Sequence, residues 1–255
     1  MKIAVLVKEV PDLEVKVGVS DGGTELEVED RNVLNFFDEL AVEEAVRIRE
    51  SGLAAEVYCV SAGDGRGNEA VRRGLAMGAD SAFLVDDAVL ANADPLTIAR
   101  TLAALVEREG YDLVLAGKQS TDDESGLVAA MVAELLGIPC VAGVVELELE
   151  EGSARVVREQ PDGKETLRVP LPAVLTAEKG LNTPRVPQVM GVMKAMKVQV
   201  PTVELEELGV EAAPELRPRA YHLPPERPPV KMLEGEPAEA AAELVRRLRE
   251  EAGVL

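Results

Sequence analysis

The chain has 255 residues, enough for one large domain or one domain with an extension. Apolar residues make up 47%, so a real core can form, and with three Phe, three Tyr and no Trp that core is aliphatic. A formal net charge of −20 works against nucleic-acid binding, which depends on clustered Lys and Arg, and no apolar stretch reaches the length of a membrane span.

Lys2–Val7 is an aliphatic, β-branched run that suits a strand buried on both faces. Its apolar stretch is too short for a signal peptide, and the chain is expected to be soluble and cytoplasmic. Residues 11–34 are irregular, with Asp21-Gly22-Gly23 as the turn of a possible short hairpin. Asp38 is expected to open a helix that Gly52 ends. A strand at Glu56–Val60, a helix at Asn68–Met77 and a strand at Ser81–Val85 follow. Asp94-Pro95 supplies an N-cap and a first-turn proline for a helix over Leu96–Glu109. Leu113–Ala116 reads as the next strand, and Ser125–Leu136 as a helix closed by Gly137. Such alternation predicts an α/β fold with an open, mostly parallel, doubly wound, Rossmann-like sheet.

After Pro139 the pattern changes to period two in ELELEE, GSARVVRE and KETLRVPL, an antiparallel meander with one solvated face. Ala173–Thr176 could return to the main sheet as a fifth strand. Cys59 and Cys140 are read as small core residues, since two distant thiols make neither a disulfide framework nor a metal site. Residues 1–200 are thus expected to form the nucleotide-binding α/β domain, and 201–255 a Pro-rich arm with a terminal helix over Ala238–Ala252. Composition leaves that arm either wrapping another surface or serving as a disordered linker.

The stretch YDLVLAGKQSTDD at 111–123 places Gly117 at a strand's carboxyl end with a helix to follow, where an open α/β sheet binds ligands. The helix N–H groups and Lys118 favour an anion. Asp122 or Asp123 could cap the helix or accept ribose hydroxyls, so a nucleotide with few phosphates fits better than a triphosphate. A plain capped strand–turn–helix connection is equally compatible. Small residues at 61–65 and the run Asn35-Phe36-Phe37-Asp38 stand at two other strand and helix ends.

Together LNFFDELAVEEAVR at 34–47, GLAMGAD at 74–80, DLVLAGKQSTDDES at 112–125 and LNTPRVPQVMGVMKAMK at 181–197 resemble the β subunit of electron transfer flavoproteins. The likeness runs from Lys2 to about Val200. It implies a heterodimer with an α subunit that holds most of a redox FAD, and a structural AMP on the β subunit. It assigns AMP contacts to Leu6, Asn35, Phe36, Phe37, Asp38, Ala62 and the loop Gly117, Lys118, Gln119, Ser120, Thr121, Asp122, Asp123, Glu124, Ser125, Gly126, Leu127 and Val128. Leu13 and Phe37 match positions near the flavin, and Glu159 matches an acid facing the α subunit. The segment from about Ala177 to Gln199 corresponds to a loop that docks on acyl-CoA dehydrogenases, with Leu181, Pro184, Arg185, Val189, Met190, Met193 and Lys194 as partner contacts. Val189 stands where the family often has a Leu anchor, and Met190 where Pro is frequent. Leu127 and Val128 replace a frequent Gln and Thr.

The implied function is an electron carrier, not an enzyme, passing electrons from dehydrogenases to a quinone-linked oxidoreductase, with no metal site and no membrane insertion. A bifurcating branch of the family holds a second FAD in place of AMP; its loop typically reads Asp-Gly-Asp-Thr, whereas Asp122-Asp123-Glu124-Ser125 puts a side chain at the glycine and favours AMP. A nucleotide-hydrolysing enzyme would need a Walker-type or SGGxDS loop, and a stand-alone stress-type nucleotide-binding protein would lack residues 181–197 and the arm.

Overall fold

The computed structural model describes residues 1–54, 56–65, 67–211 and 213–255. In chain order the elements are β1 (Lys2–Leu6), β2 (Glu9–Pro11), β3 (Val17–Val19), β4 (Leu26–Val28), β5 (Asn32–Leu34), α1 (Phe36–Glu50), β6 (Glu56–Gly63), α2 (Asn68–Met77) and β7 (Ser81–Asp86). A 3₁₀ turn (Ala88–Asn92) leads into α3 (Pro95–Glu109), then β8 (Leu113–Gly117), α4 (Val128–Leu136), β9 (Cys140–Glu150), β10 (Ser153–Gln160), β11 (Gly163–Pro170) and β12 (Ala173–Ala177). The remainder is α5 (Val189–Ala195), β13 (Thr202–Val203), a 3₁₀ turn (Glu206–Leu208) and α6 (Pro237–Glu250).

Among the described residues nine strands form one sheet in the order β11-β10-β9-β12-β8-β1-β6-β7-β13. Every neighbouring pair from β9 to β13 is parallel, and β9, β10 and β11 form the antiparallel meander. The alternation of β1 sorts the core into two layers. Ile3 and Val5 pack with α1 and α2, whereas Ala4 and Leu6 pack with α3 and α4. All four are buried, so the continuous aliphatic run is the signature of a strand covered on both faces. The chain leaves β1 through α1 to β6 on one side, and β8 lies on its other side, so the strand order reverses between β1 and β8. In open α/β sheets ligands bind beyond the carboxyl ends of the strands at such a switch point.

Three local expectations are corrected. α1 begins at Phe36 with Asn35 as its N-cap residue, so Asp38 lies inside the first turn rather than opening the helix. α4 begins at Val128, not Ser125, and no side chain caps it. Cys59 is fully buried as expected, but Cys140 is exposed because it starts β9 at the point where the chain turns into the sheet.

The chain divides into two compact units, Met1–Tyr221 and His222–Leu255. The second is an extended stretch followed by α6, an amphipathic helix with Pro237 at its start and a reciprocal Glu236–Glu239 capping box. No helix among the described residues is long and apolar enough to cross a membrane.

Candidate functional site

A cleft of about 1420 Å³ opens at the switch point. It is lined by Leu6, Val7 and Ala62 at the ends of β1 and β6, by Gly117 at the end of β8 with Lys118 and Gln119 beyond it, and by Gly126–Ala129 at the start of α4. The loop between β8 and α4 adds Ser120, Asp122, Asp123 and Ser125; Asn35 and Asp38 reach it from α1. Of the residues expected at a nucleotide, Phe36, Phe37, Thr121 and Glu124 lie outside the lining.

Asn35 and Asp38 are what shape the cleft. Asp38 is 5% exposed, and its two oxygens accept from the backbone N–H of Lys8 at 2.8 Å and of Gly117 at 2.9 Å. One carboxylate therefore ties together the ends of the two strands that flank the switch point. Burial pushes the Asp38 carboxyl up to about 7, although these bonds and the Lys8 charge pull the other way. Gly117 is needed for this contact: a Cβ there would lie 2.3 Å from Asp38 Oδ1 and 2.7 Å from Phe37 Cβ. The missing side chain makes room for α1 rather than for a ligand. Asn35, 1% exposed, donates from Nδ2 to the Gln119 carbonyl at 2.9 Å and accepts from the Thr121 N–H at 3.2 Å. It thus pins the loop that follows β8.

The acids beside the glycine loop have a partner that sequence reading missed. Lys8 Nζ lies 2.8 Å from Asp122 Oδ2 and 3.2 Å from Asp123 Oδ2. Asp123 also accepts from the Ser125 N–H and the Ser120 hydroxyl, each at 2.9 Å. Burial alone would raise the Asp123 carboxyl, but these donors and Lys8 hold it below its ordinary value. Neither aspartate caps α4. Lys118, expected to face an anion, instead pairs with Glu178 beyond β12. A lysine directly after the buried run of β1 was the available signal for Lys8, since side chains at that strand end face the crevice.

Four helices, α1 to α4, start around the cleft, and their N–H groups are treated differently. At α2 the Glu9 carboxylate accepts from Gly67 N–H at 2.8 Å and Glu69 N–H at 3.0 Å. At α3 Asp94 accepts from Thr97 N–H at 2.8 Å, and its other oxygen takes the N–H groups of Glu215 and Leu216. Among the described residues no side chain does so at α1 or α4. Asp94 thereby fastens residues 213–221 beside the cleft, where Pro214, Arg217 and Tyr221 join the lining. The Tyr221 N–H adds a bond to the Gly23 carbonyl in the β3–β4 turn.

Away from the cleft, Leu13 is 77% exposed, and Val33 and Phe36 are partly exposed. Phe36 and Phe37 meet edge to face with centroids 5.3 Å apart, so only Phe37 packs on the core. Glu159 is exposed on β10. In the segment 181–197, Val189, Met190 and Met193 are exposed and Lys194 is solvated, whereas Leu181 and Pro184 are half-buried. Arg185 turns inward to Glu43 and Glu50 of α1.

Residues 24–208 match the family model described as the electron transfer flavoprotein domain. The chain belongs to the electron transfer flavoprotein family. It resembles β subunits: the chain is 36% identical to electron transfer flavoprotein subunit beta of Bacillus subtilis, with all of both chains aligned. It is 38% identical to the subunits of that name from Sus scrofa and Homo sapiens, in each case over 98% of this chain and 97% of the relative. The electron transfer flavoprotein match takes in α1, the loop after β8, the meander and residues 181–197. The relatives also align along the Pro-rich arm beyond it.

Proposed function

We propose that this chain is the β subunit of a heterodimeric electron transfer flavoprotein, carrying a structural AMP in the cleft and covering one side of an FAD held mainly by an α subunit. Electrons pass from acyl-CoA dehydrogenases, which dock on residues 181–197, through the flavin to a quinone-linked oxidoreductase. The flavin supplies the redox chemistry, so this chain contributes binding and orientation, not bond-making groups.

The observation that carries the AMP reading is the state of the helix starts around the cleft. Carboxylates accept from the N–H groups at the starts of α2 and α3, and at α1 the buried Asp38 carboxylate already stands in the first turn, which leaves the start of α4 for a phosphate. One phosphate fits that provision better than the diphosphate of a second FAD. Backbone N–H groups at Gly126–Val128 supply donors in place of the polar side chains absent at Leu127 and Val128. Leu6, Val7, Ala62 and Leu102 offer apolar surface for a base. Ser120, Ser125, Asp122 and Asp123 offer hydroxyls and carboxylates to a ribose, with Lys8 balancing the acids. For the flavin, exposed Leu13 offers apolar surface to an isoalloxazine and the α subunit, and Phe37, the other position matched to the flavin, carries exposed Phe36 edge to face.

Co-purifying the chain with its α subunit, denaturing the complex and counting released ligands tests this. One FAD and one AMP per heterodimer is the expected result. Two FAD and no AMP would overturn the assignment of the cleft, and the absence of both would overturn the carrier reading.

A further inference from the structure

Residues 182–198 contain prolines that break local structure, yet both ends of the segment are fixed to helices. At the amino end, Asn182 Nδ2 donates to the Leu40 carbonyl at 3.0 Å and to Glu44 Oε2 at 2.9 Å. Arg185 lays its guanidinium along α1. Nε and Nη2 donate to the two oxygens of Glu43 at 2.7 and 3.1 Å, and Nη1 and Nη2 to those of Glu50 at 2.7 and 2.9 Å. The Arg185 backbone N–H adds a bond to Glu43 Oε2 at 3.1 Å. At the carboxyl end, α5 sits on α2. A Cβ on Gly191 would lie 2.7 Å from the Ala76 carbonyl, and Arg72 Nη1 donates to the Ala195 carbonyl at 2.9 Å. Between the clamps Val186, Val189, Met190 and Met196 are 71–84% exposed.

The side chain of Glu43 is 7% exposed and that of Arg185 is 33% exposed. For Arg185 to greet a partner's carboxylate, it would have to leave a nearly buried charge unpaired, which is costly. Within residues 182–198 Lys194 and Lys197 are exposed and make no ion pair among the described residues, so they are the cations this segment offers a partner. We propose that Arg185 is a positioning residue: paired with Glu43 and Glu50, it holds the apolar segment in its docking shape and does not itself touch the dehydrogenase. Fixing the segment beforehand removes part of the ordering cost from the encounter. The inference rests on the docking role given to this segment above.

The test uses the intact complex with the α subunit and an acyl-CoA dehydrogenase as electron donor. Arg185→Lys keeps the charge but loses the planar fork that engages both carboxylates. It is expected to raise the KM for the dehydrogenase about tenfold with kcat nearly unchanged, and to speed amide exchange over 184–193. The dependence of KM on salt is expected to stay as in the wild type, whereas Lys194→Gln weakens it. A double Glu43→Gln, Arg185→Gln variant, which leaves no buried charge unpaired, guards against simple misfolding and should raise KM in the same way. An unchanged KM despite faster exchange would overturn the positioning role. A weakened salt dependence in Arg185→Lys would also overturn it, since Arg185 would then meet the partner directly. A wild-type complex that the dehydrogenase cannot reduce would overturn the docking reading itself, and the role of Arg185 with it; failure of the wild type distinguishes that case.

Discussion

Asp38 binds two backbone N–H groups from different strands, yet burial makes its ionised form expensive. Burial raises its carboxyl from the usual 3.8 to about 7 in the folded chain. The folded state therefore holds the proton more tightly than the unfolded state, so the stabilising contribution is full below pH 3.8 and is lost as pH rises through about 7. A shift of this size corresponds to something on the order of 4 kcal/mol. The groups facing Asp38 are the Lys8 and Gly117 N–H groups, the Asn35 side chain and the Lys8 charge, and buried Cys59 is neutral across this range because its thiol is pushed up to about 12. Because many other carboxylates also titrate, the decisive quantity is the stability of wild type minus that of Asp38→Asn, measured by denaturant unfolding. That difference is expected to fall by several kcal/mol from pH 4 to pH 8 and then level off. A difference independent of pH would show that Asp38 is not the titrating group. Nothing local in Asn35-Phe36-Phe37-Asp38 announces this role. The run was legible as a helix start, but the contact with Gly117 spans 79 positions and exists only once α1 packs across β8.

At the scale of elements, the helix starts show which features a sequence displays and which it hides. Asp94-Pro95 is a self-contained signal, and α3 begins where that signal puts it, with Asp94 accepting from Thr97 N–H. The start of α4 was misread because Ser125 and the aspartates look like a cap, while Lys8 from another element draws both carboxylates away. Glu9 at the start of α2 was invisible for the same reason: acceptor and donors lie some 58 positions apart. The parallel order and the meander were legible from periodicity, whereas two-residue β13 and the short strands β2 and β5 carry too few residues for any period to register. Asp94 also joins two elements, since its second oxygen holds Glu215 and Leu216. Its bond to Thr97 leads the causes that hold its carboxyl down at about 2, so its contribution is present above pH 3.8 and is lost as pH falls toward 2. Asp94→Ala is expected to cost about 1–2 kcal/mol at neutral pH, the range of a lost N-cap. It should also speed hydrogen exchange at 215–216 before the rest of the unit opens. Slow exchange there in the variant would mean that Asp94 does not fasten the strap.

At the scale of the whole chain, the two compact units differ in how they satisfy their own backbone. The first closes its polar groups in a nine-stranded sheet and helices on both faces. In the second, residues 222–235 form neither helix nor strand, and Pro224, Pro225, Pro228 and Pro229 lack N–H groups altogether. Their apolar side chains are left outside: Leu223 is 59% exposed, Val230 85% and Met232 82%, and α6 adds Leu244 and Val245 at 47% and 45%. A stretch with so little burial gains little from ordering by itself, so its order must come from a surface it lies on. Proline restricts the free chain in advance, which lowers the entropy lost on docking. If that surface is the α subunit, amides of 222–235 in the isolated chain are expected to exchange at nearly the rate of an unstructured peptide, while those of β1 and β8 are protected. In the heterodimer the same amides should slow by about a hundredfold or more, corresponding to a few kcal/mol of local stability. Uniformly slow exchange over 222–235 in the isolated chain would show that the arm finds its order within this chain, and the embrace of an α subunit would lose its physical motive.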